Sequence, residues 1–195
     1  MYVGKLILVA GPSGIGKSYF IDLLLQGGLK IFSDHLGIGE SDSWKHITAK
    51  ELRENPALEA DQIIFHYDLT GPWKHGIQSG FMADNSLEIL NVAKDATVVT
   101  LWARPEVILE RYLKRQKETK SILRFLHRLV IPAKETKLYR NPSGLLSLYR
   151  EWYDFCRRLN LKGQWMVNSI DNLVTHELLS EHSFQMMTER MFSKA

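Results

Sequence analysis

The chain has a single cysteine, Cys156, so no disulfide can form within it, and a reducing compartment fits. No apolar run approaches the roughly 18 residues of a transmembrane helix. The first apolar run, LILVA, is too short for a secretory signal and has no small-residue cleavage pattern after it. A cytoplasmic location is therefore expected. Cys156 sits in YDFCRRL, a helix-like run, and reads as a small buried apolar side chain rather than a nucleophile. No internal repeat or low-complexity tract is present. What remains is ordinary for a globular chain of 195 residues, with 45% hydrophobic and 24% charged residues. Such a length buries a full core without disulfides or metal.

Net charge is only +3, but it is unevenly placed. Between Lys114 and Arg140 nine Lys/Arg stand against Glu118 and Glu135, so this stretch carries +7 and the rest of the chain −4. A mildly acidic body with one basic segment points to a local anionic partner.

Five strand-like runs are legible: Leu6 to Ala10, Lys30 to Ser33, Gln62 to Tyr67, Thr97 to Trp102 and Gln164 to Asn168. Most are continuous and apolar, as expected of strands covered on both faces. Helical patterns lie between them. Lys17 to Gln26 stops at Gly27-Gly28, TAKELREN carries a Thr48/Glu51 capping-box spacing, and Asp84 can cap SLEILNVAK. Pro105 opens EVILERYLKRQ, GLLSLYREWYDFCRRL is a long amphipathic helix, and Thr175 to Phe192 closes the chain as a helix. The alternation predicts an α/β fold with a mostly parallel sheet, in one domain over 1–195. Residues 117–145, basic and holding two prolines, break the alternation and are expected to form an insertion folding over a site.

The first strand leaves through GPSGIGKS, which matches G-x-x-x-x-G-K-[ST] with Gly11, Gly16, Lys17 and Ser18 at the fixed positions. Glycines let such a loop wrap a phosphate, so that Gly11, Pro12, Ser13, Gly14, Ile15 and Gly16 present backbone groups to its oxygens. The following helix adds its positive end. Lys17 reaches the terminal phosphates and the Ser18 hydroxyl can ligate Mg²⁺. A strand before the motif and a helix after it are its required context. The sequence therefore predicts a P-loop binding a nucleoside triphosphate, with ATP and Mg²⁺ as the expected cofactors.

Ligands of open α/β sheets sit beyond the carboxyl ends of the strands. Asp34 follows the second expected strand and is the candidate base for an acceptor hydroxyl, with a cap or turn as the competing reading. Asp68 ends the third, where it orients the Mg²⁺ shell or stabilises the turn before Gly71-Pro72. Arg111 and Arg115 project from one helix face and can clamp triphosphate oxygens, or pair with Glu110 and Glu118 on a solvated face. Trp44, Tyr67 and Trp73 are candidates for an acceptor pocket against the commoner role of core packing. His35, His66 and His75 lack the local spacing of a metal motif, and His66 reads as a core residue.

With GPSGIGKS, the Asp34 and Asp68 strand ends, TVVTLWARPEVILERYLKR and LLSLYREWYDFC in view, the chain resembles the nucleoside and nucleotide kinase branch of the P-loop proteins. The R-x-x-x-R pair is similar to the one that begins the family's LID, and Tyr149 and Trp152 resemble a Y-x-x-W helix of deoxynucleoside kinases. The resemblance implies a three-layer fold with a five-stranded parallel sheet in order 2-3-1-4-5, an ATP donor, and a LID-like insertion that excludes water on closing. The chain departs from the pattern at Leu69, where deoxynucleoside kinases have Arg. In DLTGPWK the nearest cation is Lys74 instead of the arginine that holds a nucleotide acceptor's phosphate.

The leading reading is an ATP-dependent phosphotransferase acting on a hydroxyl of a small molecule such as a nucleoside or sugar. A nucleotide-binding switch with weak ATPase activity is a second, although no N-K-x-D-like motif and no strand ending in Asp-Glu is present. A sulfotransferase and a polynucleotide-end kinase are further alternatives. The expected partner is a small-molecule acceptor, not nucleic acid. Ile122, Phe125, Leu126 and Leu129 make an apolar stripe with Arg124 and Arg128 on another face. Residues 121–131 are therefore expected to pack as a LID helix or to touch a membrane surface weakly. Oligomeric state is not encoded legibly.

Overall fold

The structure is a computed structural model that describes residues 1–39, 43–55, 57–71, 81–118, 136–159, 161, 163–169, 173–176 and 180–193. Its centre is β1 (Tyr2–Gly11), buried without interruption from Leu6 onward. β3 (Glu59–Asp68) and β4 (Ala93–Trp102) pair with it in parallel on either side, Val9 standing beside His66 and Val99. β2 (Lys45–Thr48) lies outside β3, and β5 (Gly163–Asn168) lies outside β4, both parallel. The parallel strands thus run in the expected order 2-3-1-4-5. A sixth strand, β6 (Leu173–His176), adds antiparallel to β5.

Helices cover both faces, making three layers. Val99 and Thr100 are consecutive on β4 and so face opposite sides. On the Val99 side Trp165 of β5 meets Phe32 edge-on, ring centroids 5.5 Å apart. On the Thr100 side the indole of Trp152 donates to the Thr100 hydroxyl at 2.9 Å and stacks on Tyr67 at 5.8 Å. Strands buried on both faces in this way explain the continuous apolar runs.

Phe32 belongs to α2 (Lys30–Leu36), which follows α1 (Lys17–Leu25). Here the structure corrects the sequence reading: Lys30 to Ser33 is not the second strand. Phe32, Ser33 and Leu36 are buried at helical spacing, and Gly37 terminates the helix in the left-handed region at φ +61°. Strand two is the short Lys45–Thr48, of which only Ile47 is fully buried. Thr48 then caps α3 (Ala49–Glu54): Glu51 Oε2 accepts from the Thr48 amide at 2.7 Å, the capping box that the spacing predicts.

Asp84 accepts from the Ser86 amide at 2.9 Å and caps a 3₁₀ turn (Asn85–Glu88) that runs into α4 (Ile89–Val92). α5 (Pro105–Glu118) begins with proline in the first turn, as expected, and α6 (Pro142–Arg158) starts two residues before the expected Gly144, also on a proline. The closing helix, α7 (Glu181–Phe192), starts later than Thr175, because that residue lies in β6 and Ser180 supplies the cap. Of the expected insertion 117–145, the described parts are the end of α5 and residues 136–145. Its centre, with the amphipathic stripe of 121–131, lies outside the described residues, as do Trp73, Lys74 and His75. Among the described residues no helix is long and apolar enough to cross a membrane.

Cys156 is buried on α6, and burial pushes its thiol well above the usual range, in line with an unreactive core residue. Trp152, 1% exposed, holds α6 to the sheet by stacking and by its hydrogen bond. Trp152→Ala is expected to cost about 3–5 kcal/mol in urea unfolding, the range for truncating a fully packed aromatic.

Candidate functional site

β1 ends at Gly11 and α1 begins at Lys17, so Pro12 to Gly16 form the loop that the motif demands. Gly14 and Gly16 have φ of +83° and +103°, backbone that a Cβ resists. At Gly14 a Cβ would also stand 3.1 Å from Tyr112 Cβ and 3.3 Å from the Ile108 carbonyl oxygen. α5 therefore lies directly on the loop, and only glycine leaves it room. Ile15, wholly buried, pins the loop from beneath. The Tyr139 hydroxyl donates to the Ser13 carbonyl at 2.7 Å and fastens the loop from the stretch before α6.

Lys17 is 5% exposed, and its ammonium donates to the carbonyls of Gly11 at 2.7 Å and Pro12 at 2.9 Å. Asp68 Oδ1 stands 3.9 Å away. Ser18 follows on the exposed side of the first helical turn. Asp68 ends β3 beside Gly11. Its Oδ1 accepts from the Thr70 amide at 3.0 Å and hydroxyl at 2.7 Å, while Oδ2 accepts from the Ser13 hydroxyl at 2.8 Å. The turn role read from the sequence is thus filled, and the same carboxylate lines the cleft described next.

Arg111 and Arg115 both face this cleft from α5. Arg111 Nη1 donates to the Ile15 carbonyl at 2.9 Å and to the Ser169 hydroxyl at 3.0 Å, tying the loop to the end of β5. The cleft encloses about 630 Å³ between the loop, Asp68, His66, the two arginines and Ser169. Cationic groups, loop amides and a helix N-terminus converging on one volume make an anion site of the kind that takes a triphosphate.

Asp34 is not part of it. It lies exposed on α2, three residues before Gly37, whose carbonyl accepts from Lys5 Nζ at 2.8 Å. At about 3.3 Å per residue, Lys5 is roughly 20 Å down β1 from Gly11. Asp34 therefore stands near the amino edge of the sheet, opposite the loop, and its assignment as base is withdrawn. Trp44 and Tyr67 take the commoner role of packing and do not line this cleft. Trp44 sits by the same Lys5, its ring centroid 5.6 Å from Nζ, and Tyr67 is buried in the aromatic core against Trp152.

The sequence reading missed His66 as a cleft residue. His66 precedes Asp68 by two positions on β3 and so shares its side, a relation that strand periodicity makes available once Asp68 is placed. Ser169, also in the cleft, directly follows the fifth strand at the carboxyl edge. His66 is half-buried and stacks in parallel on His46 of β2, ring centroids 5.9 Å apart and planes 9° off parallel. Burial, reinforced by Lys17, pulls its imidazole down to about 4.

Among the described residues no three His, Cys, Asp or Glu side chains cluster to hold a metal ion. Ser18 and Asp68 supply hard oxygen donors at the mouth of the phosphate loop. That donor set fits a Mg²⁺ arriving with the triphosphate and unfit for a softer ion.

Sheet order, phosphate loop and the cleft above it give the chain a P-loop kinase-like fold. No protein-family model and no curated protein matches the sequence. Among solved structures it is similar to a chain of the PezAT chromosomal toxin–antitoxin system of Streptococcus pneumoniae, with a TM-score of 0.56 and 11% identity. The match covers 100% of this chain and 81% of that one. A shikimate kinase from Bacteroides thetaiotaomicron aligns at a TM-score of 0.41 and 10% identity, covering 95% of each chain. At 11% identity the likeness to the PezAT chain is one of fold.

The depressed His66 value makes stability depend on pH. Below about 6.5 the unfolded imidazole takes up a proton that the folded one refuses until about pH 4. Stability is therefore lost as pH falls through that window. Urea titrations at pH 7, 6, 5 and 4.5 should show a smaller decline for His66→Gln than for the wild type.

Proposed function

We propose that the chain is an ATP-dependent phosphotransferase that moves the γ-phosphoryl group of Mg-ATP to a hydroxyl of a small molecule. The observation that carries this reading is the convergence of Lys17, Asp68, Arg111 and Arg115 on one cleft at the carboxyl edge of the sheet. Loop amides of Gly11 to Ser18 hold the phosphates, and Lys17 exchanges its contacts to the loop carbonyls for the terminal phosphates. Arg111, oriented by Ile15 and Ser169, and Arg115 one turn further along α5 neutralise charge on the transferring group. Ser18 and Asp68 would hold a Mg²⁺ arriving with the triphosphate, which would supply further charge neutralisation.

In the transfer the acceptor oxygen bonds to the γ-phosphorus as the β–γ bridging P–O bond breaks, and ADP leaves with the bridging oxygen. The hydroxyl proton passes to Asp68, the one carboxylate among the described residues of the cleft. Phosphoryl transfer through a loose transition state asks little of a base and much of positioning. One carboxylate therefore suffices for the duties that the sequence reading divided between Asp34 and Asp68.

ADP formation from Mg-ATP should be followed with separate pools of nucleosides, sugars and other alcohols. One pool should raise turnover above the acceptor-free background. Lys17→Ala and Asp68→Asn should each lower that rise by roughly a hundredfold or more, the scale of losing a preorganised charged contact. Asp34→Asn should leave it within about twofold, since exposed surface changes are close to neutral. Equal loss in the Asp34 variant, or no stimulation by any pool, contradicts the reading.

A further inference from the structure

One large side chain of the cleft has no duty in the phosphate chemistry above. Tyr19, the third residue of α1, is 64% exposed and lines the cleft next to Ser18. We propose that Tyr19 is a specificity residue for the nucleoside half of the donor, its phenol ring being the face on which the nucleobase stacks. This rests on the phosphotransferase reading and names how the site holds the part of Mg-ATP that is not phosphate.

Exposure is the first support. Single apolar side chains in solvent are ordinary, as at Leu25, Met82 and Val92. Tyr19 is the most exposed of the large ones among the described residues, and it alone of them lines the cleft. No hydrogen bond or ring contact from the described residues engages its side chain. An aromatic face kept open inside a binding cleft is a surface for another flat ring.

Direction is the second. Side chains of a helix tilt toward its amino end, so the ring of Tyr19 leans over the first turn of α1. That turn has no side-chain cap at Gly16, and the Gly16 carbonyl receives the amide of Phe20 at 2.9 Å. The amides of Ser18 and Tyr19 precede it and point out of the helix end, toward an anion. A phosphate that takes the Tyr19 amide therefore lies at the root of the Tyr19 side chain.

Polarity of the site is the third. Lys17 and Tyr19 leave α1 about 200° apart. Lys17 turns inward to the Gly11 and Pro12 carbonyls and to Asp68, which puts the terminal phosphate at that end. Tyr19 stands on the solvent side, where the phosphates give way to the nucleoside. The cleft has room for both, since about 630 Å³ falls within the roughly 300–1,000 Å³ of sites that take a drug-sized ligand. Stacking on tyrosine tolerates any base, because every base has a π face. Tyr19 thus selects a triphosphate that carries a base over one that carries none.

Calorimetry compares Mg-ATP with the magnesium salt of ribose 5-triphosphate, which is ATP without its base. Wild type, Tyr19→Ala, Tyr19→Phe and Lys17→Ala are titrated with each. Tyr19→Ala should weaken Mg-ATP by roughly fivefold or more, the lower end for loss of one base–aromatic stack. It should leave ribose 5-triphosphate within about twofold, because the backbone amide stays and the side chain is a surface one. Tyr19→Phe, which keeps the ring and loses the hydroxyl, should bind Mg-ATP within about twofold of wild type. A circular-dichroism melt checks folding, and Tyr19→Gln, equally without a ring, replaces an alanine variant that melts early.

Equal weakening of both ligands in Tyr19→Ala overturns the proposal, because the contact then serves phosphate, ribose or the fold. Unchanged Mg-ATP binding in that variant overturns it too, as does a Tyr19→Phe that binds like Tyr19→Ala. In each of these cases the phosphotransferase reading stands as long as Lys17→Ala weakens both ligands. Failure of Mg-ATP to bind the wild type overturns the proposal, and failure of ribose 5-triphosphate as well takes the phosphotransferase reading with it.

Discussion

The arrangement of this protein turns on one buried positive charge. The Lys17 ammonium is almost wholly removed from solvent. An isolated buried charge costs several kcal/mol unless partners replace its hydration. The loop carbonyls of Gly11 and Pro12 and the carboxylate of Asp68 provide that replacement. Two of those partners are placed by the sheet: Gly11 ends β1, and Asp68 ends β3 in register beside it. The charge thus stands where two parallel strands finish, with the positive end of α1 at its side.

Once Lys17 is fixed there, much of the surrounding structure follows as support. Ser13 reaches across to Asp68, and Thr70 holds the same carboxylate from the other side. α5 presses on Gly14 through Tyr112 and ties Ile15 to Ser169 through Arg111. Tyr139, packed against Tyr112 at 5.8 Å, adds a hydrogen bond to Ser13. The loop is therefore fastened from β3, from α5 and from the stretch before α6. Such fastening pre-organises the amide groups that meet a phosphate, so little ordering remains to be done on binding. It also links α5 and Tyr139 to the loop mechanically, so displacement of either is felt at the phosphate site.

The sequence disclosed the parts of this arrangement that are local. GPSGIGKS between an apolar strand and a helix carries its own context, and Thr48/Glu51, Asp84 and Pro105 announced their helix starts. Strand two was misassigned for a physical reason. Lys45–Thr48 buries one residue fully at the sheet edge, so it lacks an apolar run. KIFS has the run, yet Phe32, Ser33 and Leu36 with Gly37 behind them spell a helix and its cap. That single error carried Asp34 into the site, because a residue's place at the carboxyl edge depends on which segment is the strand. The sheet order survived it, since the order follows from the P-loop resemblance and right-handed crossovers rather than from strand ends. β6 was missed because a four-residue antiparallel edge has no signal of its own. His66 was passed over as core, since periodicity gives a side of the sheet and not what covers it.

Calorimetric titration of Mg-ATP, Mg-ADP and AMP into the wild type and Lys17→Ala tests the central claim most directly. Under the proposed function the loop and Lys17 hold phosphates, so Mg-ATP and Mg-ADP should bind while AMP binds at least roughly tenfold more weakly. Loss of the Lys17 charge-assisted contacts should weaken Mg-ATP by a similar factor or more. AMP binding as tightly as Mg-ATP, or Mg-ATP binding unchanged in Lys17→Ala, would contradict the account.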